Sequence, residues 1–273
     1  MSQDRDDIEY LFFSDRKKIY VCLNHRVAYL CWLDAFRKGI IKPNALLFHI
    51  DFHADFWLND QQLIKEQEKI AINDEQKLKD FVRDRLDKLN TDFIVLSMYR
   101  GIIGDAISVS RKNDTHLYGQ LKNGDYQTTD RHEFKDNGNL HTFYLGGSSV
   151  LDLVGHYGLL TDGWRHKDVQ KVFKDAVRSQ NVILDIDLDY FTYQSPEGRD
   201  DWAFNKRHLE TIFQSAAFLD LLNHIDMISI ALEPSCCGGN NECRSILGKL
   251  NAVALNKYGI DIEKEAIQKF KLQ

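Results

Sequence analysis

Three side chains in the segment LLFHIDFHADFW, those of Asp51, His53 and Asp55, recur at a spacing of two. On an extended backbone that spacing points them the same way. Two carboxylates and an imidazole facing one cavity repel each other or need a cation, and this donor set suits Mn, Zn and Fe. A second acidic segment, ILDIDLDYF, places Asp185, Asp187 and Asp189 in the same manner more than a hundred residues later. Each cluster follows an apolar run, so solvent-facing acids at strand ends account poorly for both. Glu233 follows a third apolar stretch, HIDMISIAL, and precedes Pro234. His25 stands between an apolar strand pattern and a helical one.

The elements that must position these groups read as alternating strands and helices. Ile8 to Phe13 and Lys18 to Leu23 are expected as short strands around a Ser-Asp turn. Val27, Leu30, Cys31 and Ala35 then fit a helical face, with Asn24 as its N-cap and Gly39 as its stop. Leu46 to Asp51 is a buried strand. Within 60–90, Leu78, Phe81, Val82, Leu86 and Leu89 form an apolar stripe in a charged helix. Asp92 to Met98 is read as the next buried strand, followed by a small-residue loop, YRGIIGD. Residues 108–140 are polar and read as an inserted hairpin or irregular lobe. Leu140 to Leu145 is strand-like, and 166–179 is helical. Val182 to Leu184 is a short strand with Asp185 directly after it, and 192–205 is a loop over its end. Phe204 to Leu222 is a helix, His224 to Ala231 a strand, and 243–257 and 261–271 are closing helices. Such alternation implies an α/β chain, a three-layer α-β-α sandwich with a mostly parallel sheet. The crevice at the carboxyl ends of its strands is the default site. Residues 1–273 are expected to form a single catalytic domain.

The chain has 273 residues, 43% apolar and 28% charged, with formal net charge −6. This balance gives no footprint for nucleic acid, and no apolar run is long enough to span a membrane. The acidic segment MSQDRDDIEY does not read as a secretory signal. The five cysteines, Cys22, Cys31, Cys236, Cys237 and Cys243, are odd in number and show no CxxC spacing. They are expected to be free thiols, as in a cytoplasmic protein. Cys236 and Cys237 either line a site or flank one. His49 is either a donor to a metal ligand or a core histidine, and His208 is expected to face solvent or packing.

DFHAD resembles the DxHxD motif of the arginase and agmatinase superfamily, and LDIDLD resembles its second DxD motif. His25 resembles the isolated histidine ligand of the first motif, although LNHR stands where GGDH is usual. Glu233 is similar in place to the carboxylate that meets a substrate guanidinium. The resemblance covers roughly 18–60 and 180–240. Outside that core it looks closer to an atypical branch of arginase-like proteins, some members of which act as peptide arginases. It implies two Mn2+ per chain, one held by His25, Asp51, Asp55 and Asp185, the other by Asp51, His53, Asp185 and Asp187. It further implies Asp55 as acceptor from the attacking hydroxide, Glu233 as anchor of the cationic group, and urea and ornithine as products. In the resembled motif the first acid directly follows the apolar run, which selects Asp185 with Asp187 and leaves Asp189 as a supporting acid. GNLH at 138–141 resembles a local family sequence and offers His141 as general acid.

Three functions compete at this stage. The first is hydrolysis of a guanidino group, on an arginine-containing precursor peptide or on a free small compound. The second is a deacetylase-like amidohydrolase, and the third a non-catalytic metal module. Phe56, Trp57 and Leu58 favour the peptide, because an apolar rim cannot satisfy the charged ends of a free amino acid.

Overall fold

The computed structural model describes residues 8–14, 17–53, 55, 60–87, 92–110, 140–144, 178, 181–192, 214, 219, 222–256 and 262–272. Seven strands form one sheet: β1 (Tyr10–Phe13), β2 (Lys18–Cys22), β3 (Ala45–Asp51), β4 (Ile103–Ser110), β5 (Leu140–Tyr144), β6 (Val182–Asp187) and β7 (Met227–Ala231). Their spatial order is β1-β2-β7-β6-β3-β4-β5. Among the described residues, only β1 is antiparallel to its neighbour and the other pairings are parallel. The sheet is therefore mostly parallel, as expected.

Each central strand is buried along its whole length, which is why it reads as an apolar run rather than an alternating one. The alternation instead divides the strand residues between two cores. Leu46, Phe48, Ile50, Leu184, Ile186, Ile228 and Ile230 pack with α5 (Asn240–Leu250) and α6 (Ile262–Phe270). Leu47, Ile183 and Met227 pack on the other face with α1 (Ala28–Arg37), α2 (Gln62–Glu68), α3 (Glu75–Asp84) and α4 (Phe93–Tyr99). This is the three-layer arrangement. It also assigns His49, Asp51, Asp185, Asp187 and Ser229 to the α1–α4 face by parity.

The order of strands creates a switch point. The chain runs from β3 outward to β4 and β5, then returns to lay β6 on the other side of β3 and β7 beyond it. In sheets of this kind the connections leaving two such neighbouring strands diverge, and ligands bind at their carboxyl ends. Asp51 and Asp187 are the last residues of β3 and β6.

Several expectations are corrected. Asp92 to Met98 is not a strand: Phe93–Tyr99 is helix α4, and the strand is Ile103–Ser110, which begins in the stretch read as a loop and ends in the stretch read as a polar lobe. The apolar run FIVLSM is buried on all sides, and periodicity cannot separate a fully buried helical turn from a buried strand. Asn24 does not cap α1; it precedes a 3-10 turn, His25–Val27, and makes no side-chain capping bond. Strand β6 runs three residues further than expected and includes Asp185. Strand β7 begins at Met227 rather than His224. The closing helix is interrupted, α5 passing into a π-helical turn at Asn251–Leu255. Gly39, with φ of 69°, ends α1 as expected. Parallel pairing of β4 with β5 shows that the polar stretch connects two neighbouring strands of the sheet. Residues 111–139, 166–177, 193–213, Leu89 and the segment 56–59 lie outside the described residues, and so do the expectations placed on them.

Candidate metal centre

Four strand ends deliver the site. His25 enters from the turn after β2, Asp51, His53 and Asp55 from β3 and its exit, Asp187 and Asp189 from β6 and its exit, and Glu233 from the exit of β7. His25, Asp51, Asp55, Asp185, Asp187, Asp189 and Glu233 are all buried.

The His25 ring is the pivot. Its Nδ1 lies 3.1 Å from each of Asp51 Oδ2, Asp55 Oδ2 and Asp187 Oδ2. Its Nε2, on the opposite edge, lies 2.8 Å from Asp185 Oδ2. Phe93 of α4 packs against the ring at 4.8 Å between centroids. The His25 backbone N–H donates to Glu233 Oε1 at 2.7 Å, tying the β2 and β7 exits together.

A second convergence lies beside the first. His53 Nδ1 is 3.3 Å from Asp189 Oδ2 and 3.8 Å from Asp51 Oδ1. Asp51 thus offers one oxygen to each group. The sequence places Asp51, His53 and Asp55 in line on an extended chain, but β3 ends at Asp51. Asp55 adopts φ of 52°, which turns its carboxylate back toward His25. Asp187 and Asp189 are likewise separated by the start of a 3-10 turn, Leu188–Phe191, whose Asp189 N–H donates to Asp187 Oδ1 at 3.0 Å. Asp55 and Glu233 (φ of 38°) are two of four described non-glycine residues in the left-handed region. Backbone strain of this kind collects at functional sites.

Asp185, expected to bridge two ions, occupies a different environment. Its Oδ1 accepts from Ser229 Oγ at 2.5 Å, and its Oδ2 meets both His25 Nε2 and His49 Nδ1 at 2.8 Å. His49, left open by the sequence, is therefore a partner of Asp185, and its Nε2 stands 3.4 Å from Asp51 Oδ2.

Burial opposes charge on every histidine here, and the carboxylates overcome it. Asp185 and Asp187 hold His25 well above the ordinary imidazole value, Asp185 and Asp51 raise His49 to about 9, and Asp189 raises His53 to about 10. Burial also works against the Asp51 charge, but the imidazoles of His25 and His49 keep its pKa well below the usual range. Burial with the Asp51 charge pushes Asp55 well up and Asp189 to about 6, and burial with Asp189 and Asp51 raises Asp187. Six buried carboxylates share the region with three imidazoles. Even with every imidazole protonated, three negative charges remain. Among the described residues, these groups compensate without a cation only by retaining protons on the acids.

A divalent ion fits these residues better than protons do. His25 Nδ1 and Asp51 Oδ2 are buried and face each other at 3.1 Å, yet neither has a hydrogen-bond partner among the described residues. Orphan buried atoms are costly, and a cation between them satisfies both. His25, His49 and Asp51 form one group with donor atoms within 4.8 Å of one another, and Asp51, His53 and Asp189 form another.

The remaining expected residues are placed as follows. Cys236 Sγ donates to Glu233 Oε2 at 3.3 Å, so it flanks that carboxylate. All five cysteines are free thiols. His141 belongs to strand β5, but its side chain lies outside the described residues, as does His208. Ser229 and Trp32 were not singled out in the sequence. The Trp32 indole N–H donates to Ser229 Oγ at 3.0 Å, a pairing between helix α1 and strand β7 that has no local sequence signal. Among the described residues, no helix is long and apolar enough to cross a membrane.

No protein-family model and no curated protein matches the chain. Among solved structures, it is similar to one described as a hypothetical agmatinase from Burkholderia thailandensis. That match has 12% identity and a TM-score of 0.43, covering 91% of this chain and 60% of the other.

Proposed function

We propose that the chain is a binuclear-metal hydrolase of the guanidinium group, converting arginine residues in a peptide or protein substrate to ornithine with release of urea. One observation carries the reading: His25, Asp51, Asp55 and Asp187 converge from three separate strand ends on one buried point, with His53 and Asp189 beside it. The DxHxD-like and DxD-like segments that supply these groups support it from the sequence side.

His25, Asp51 and Asp55 with an acid of the second cluster would hold one ion, and Asp51 and His53 with acids of that cluster the other. Manganese is the proposed metal, because the set is dominated by hard carboxylate oxygens. When bound, the pair would supply an activated water nucleophile and positive charge near the reacting carbon. The chain's own residues supply the rest. Asp55, held at φ of 52°, would accept a hydrogen bond from the nucleophile. Glu233 is fixed through Oε1 to the His25 backbone and would set its carboxylate against the substrate cation. The substrate's backbone would meet the apolar segment Phe56, Trp57 and Leu58.

The test incubates the manganese-loaded chain with arginine-containing peptides and with free arginine. Peptide conversion is expected as a loss of about 42 Da per arginine, the mass change of guanidine hydrolysis, with urea released in equal amount. Higher kcat/KM for free arginine than for every peptide would remove the peptide substrate and leave guanidino hydrolysis standing. Urea from neither would remove both.

A further inference from the structure

The three acids of the second cluster have distinct surroundings. Asp187 Oδ2 faces His25 Nδ1, and Asp189 Oδ2 faces His53 Nδ1. Asp185 faces neither atom. It lies at the middle of a polar row running across three strands, because the register pairs His49 with Asp185 and Asp185 with Ser229. Trp32 of α1 closes the row by donating to Ser229, which in turn donates to Asp185.

We propose that Asp185 is a positioning residue rather than a metal ligand: it receives His25 Nε2–H and so presents the Nδ1 lone pair toward Asp51, Asp55 and Asp187, leaving Asp187 and Asp189 as the metal-facing acids of the second cluster. The inference rests on the two-metal reading above. Its chemistry is that of a carboxylate bonded to the far nitrogen of a ligating imidazole, which fixes the tautomer and the ring plane. Asp185 is committed to that task. Ser229, His25 and His49 engage both of its oxygens, so turning one toward an ion would forfeit charge-assisted bonds inside a buried site. By contrast, His25 Nδ1 and Asp51 Oδ2, buried without a hydrogen-bond partner among the described residues, are donor atoms open to a cation on the opposite edge of the ring from Asp185. His49 extends the device. It binds Asp185 through Nδ1 and approaches Asp51 through Nε2, so one buried acid orients two imidazoles that both reach toward Asp51.

The experiment uses the full chain and the metals themselves. Mn2+ stoichiometry and affinity are measured by equilibrium dialysis with elemental analysis, and Co2+ is used for its visible absorption. Asp189→Asn is expected to lose one equivalent relative to the unmodified chain. Asp185→Asn is expected to keep full stoichiometry at saturation, with affinity weakened roughly 10- to 100-fold and an altered Co2+ band from the reoriented His25. Ser229→Ala, a milder change that spares the fold, is expected to move affinity and band in the same direction by less. Loss of an equivalent in folded Asp185→Asn, or full occupancy at unchanged affinity in Asp189→Asn, overturns the assignment. Unmoved affinity and band in Ser229→Ala, should Asp185→Asn not fold, overturn the positioning role. An unmodified chain that binds no metal removes the two-metal reading itself, a failure distinct from loss in the Asp185 variant alone.

Discussion

Replacing Asp92 by Asn should stabilise the protein, and by an amount that depends on pH in a defined way. Asp92 stands at the start of α4, the helix that packs Phe93 against the His25 ring. Its Oδ2 accepts the Asp87 N–H at 3.1 Å, whereas its Oδ1 is buried without a hydrogen-bond partner. Burial is the main reason its pKa rises from 3.8 to about 6. A folded-state pKa above the unfolded value means that the folded chain holds the proton more tightly. Stability linked to this group is therefore present below about pH 3.8 and is lost as pH rises through about 6. At pH 8 the ionised carboxylate costs about 3 kcal/mol, from roughly two pKa units at about 1.4 kcal/mol each. Asn keeps the acceptor for the Asp87 N–H and removes the charge. The expected gain is about 3 kcal/mol at pH 8, falling to about 1 kcal/mol at pH 4.5 by the same linkage. For a chain of this size the pH 8 gain is a rise of about 6 °C in Tm. Urea denaturation at the two pH values measures it, with metal binding as a control that should not change. Equal stability of the two proteins at pH 8, or the same gain at both pH values, would refute the reasoning.

Two substitutions test the centre directly. Asp51→Asn should abolish turnover and lower metal content, since Asp51 reaches toward both His25 and His53; normal metal content by elemental analysis with normal urea release would contradict it. Glu233→Gln should retain metal, because Gln still accepts the His25 N–H, but lose roughly 100-fold or more in kcat/KM through the missing charge partner of the guanidinium. Unchanged kinetic constants would instead make Glu233 a structural tie between the β2 and β7 exits.

The readable parts of the sequence were those where one physical constraint dominates. Strands β3, β6 and β7 are buried on both faces, so composition alone marks them, and an acid just past an apolar run marks the crevice. The FIVLSM run failed for the same reason: a helix sunk wholly into the α-side core has no polar face to show its period. The different surroundings of Asp187 and Asp189 were not legible, because the alternation argument assumes an extended chain. The 3-10 turn at Leu188 breaks that assumption, as the left-handed conformation at Asp55 does in the first cluster. Ser229 and Trp32 carried no local signal. Their roles exist only through pairing with residues far away in the chain.

The placement of β6 and β7 has a consequence for biosynthesis. Strands β2 and β3 are made early and in succession, yet two later strands separate them in the finished sheet. A nascent chain that has reached only β5 holds two unpaired inner edges, one on β2 and one on β3, and such edges are prone to wrong pairing. His25 and Glu233 meet across 208 positions of sequence. The centre therefore cannot be assembled on the emerging chain before β7 has left the ribosome. Closing the tie between His25 and Glu233 is therefore a late step in folding, and it follows the filling of the β2–β3 gap by β6 and β7.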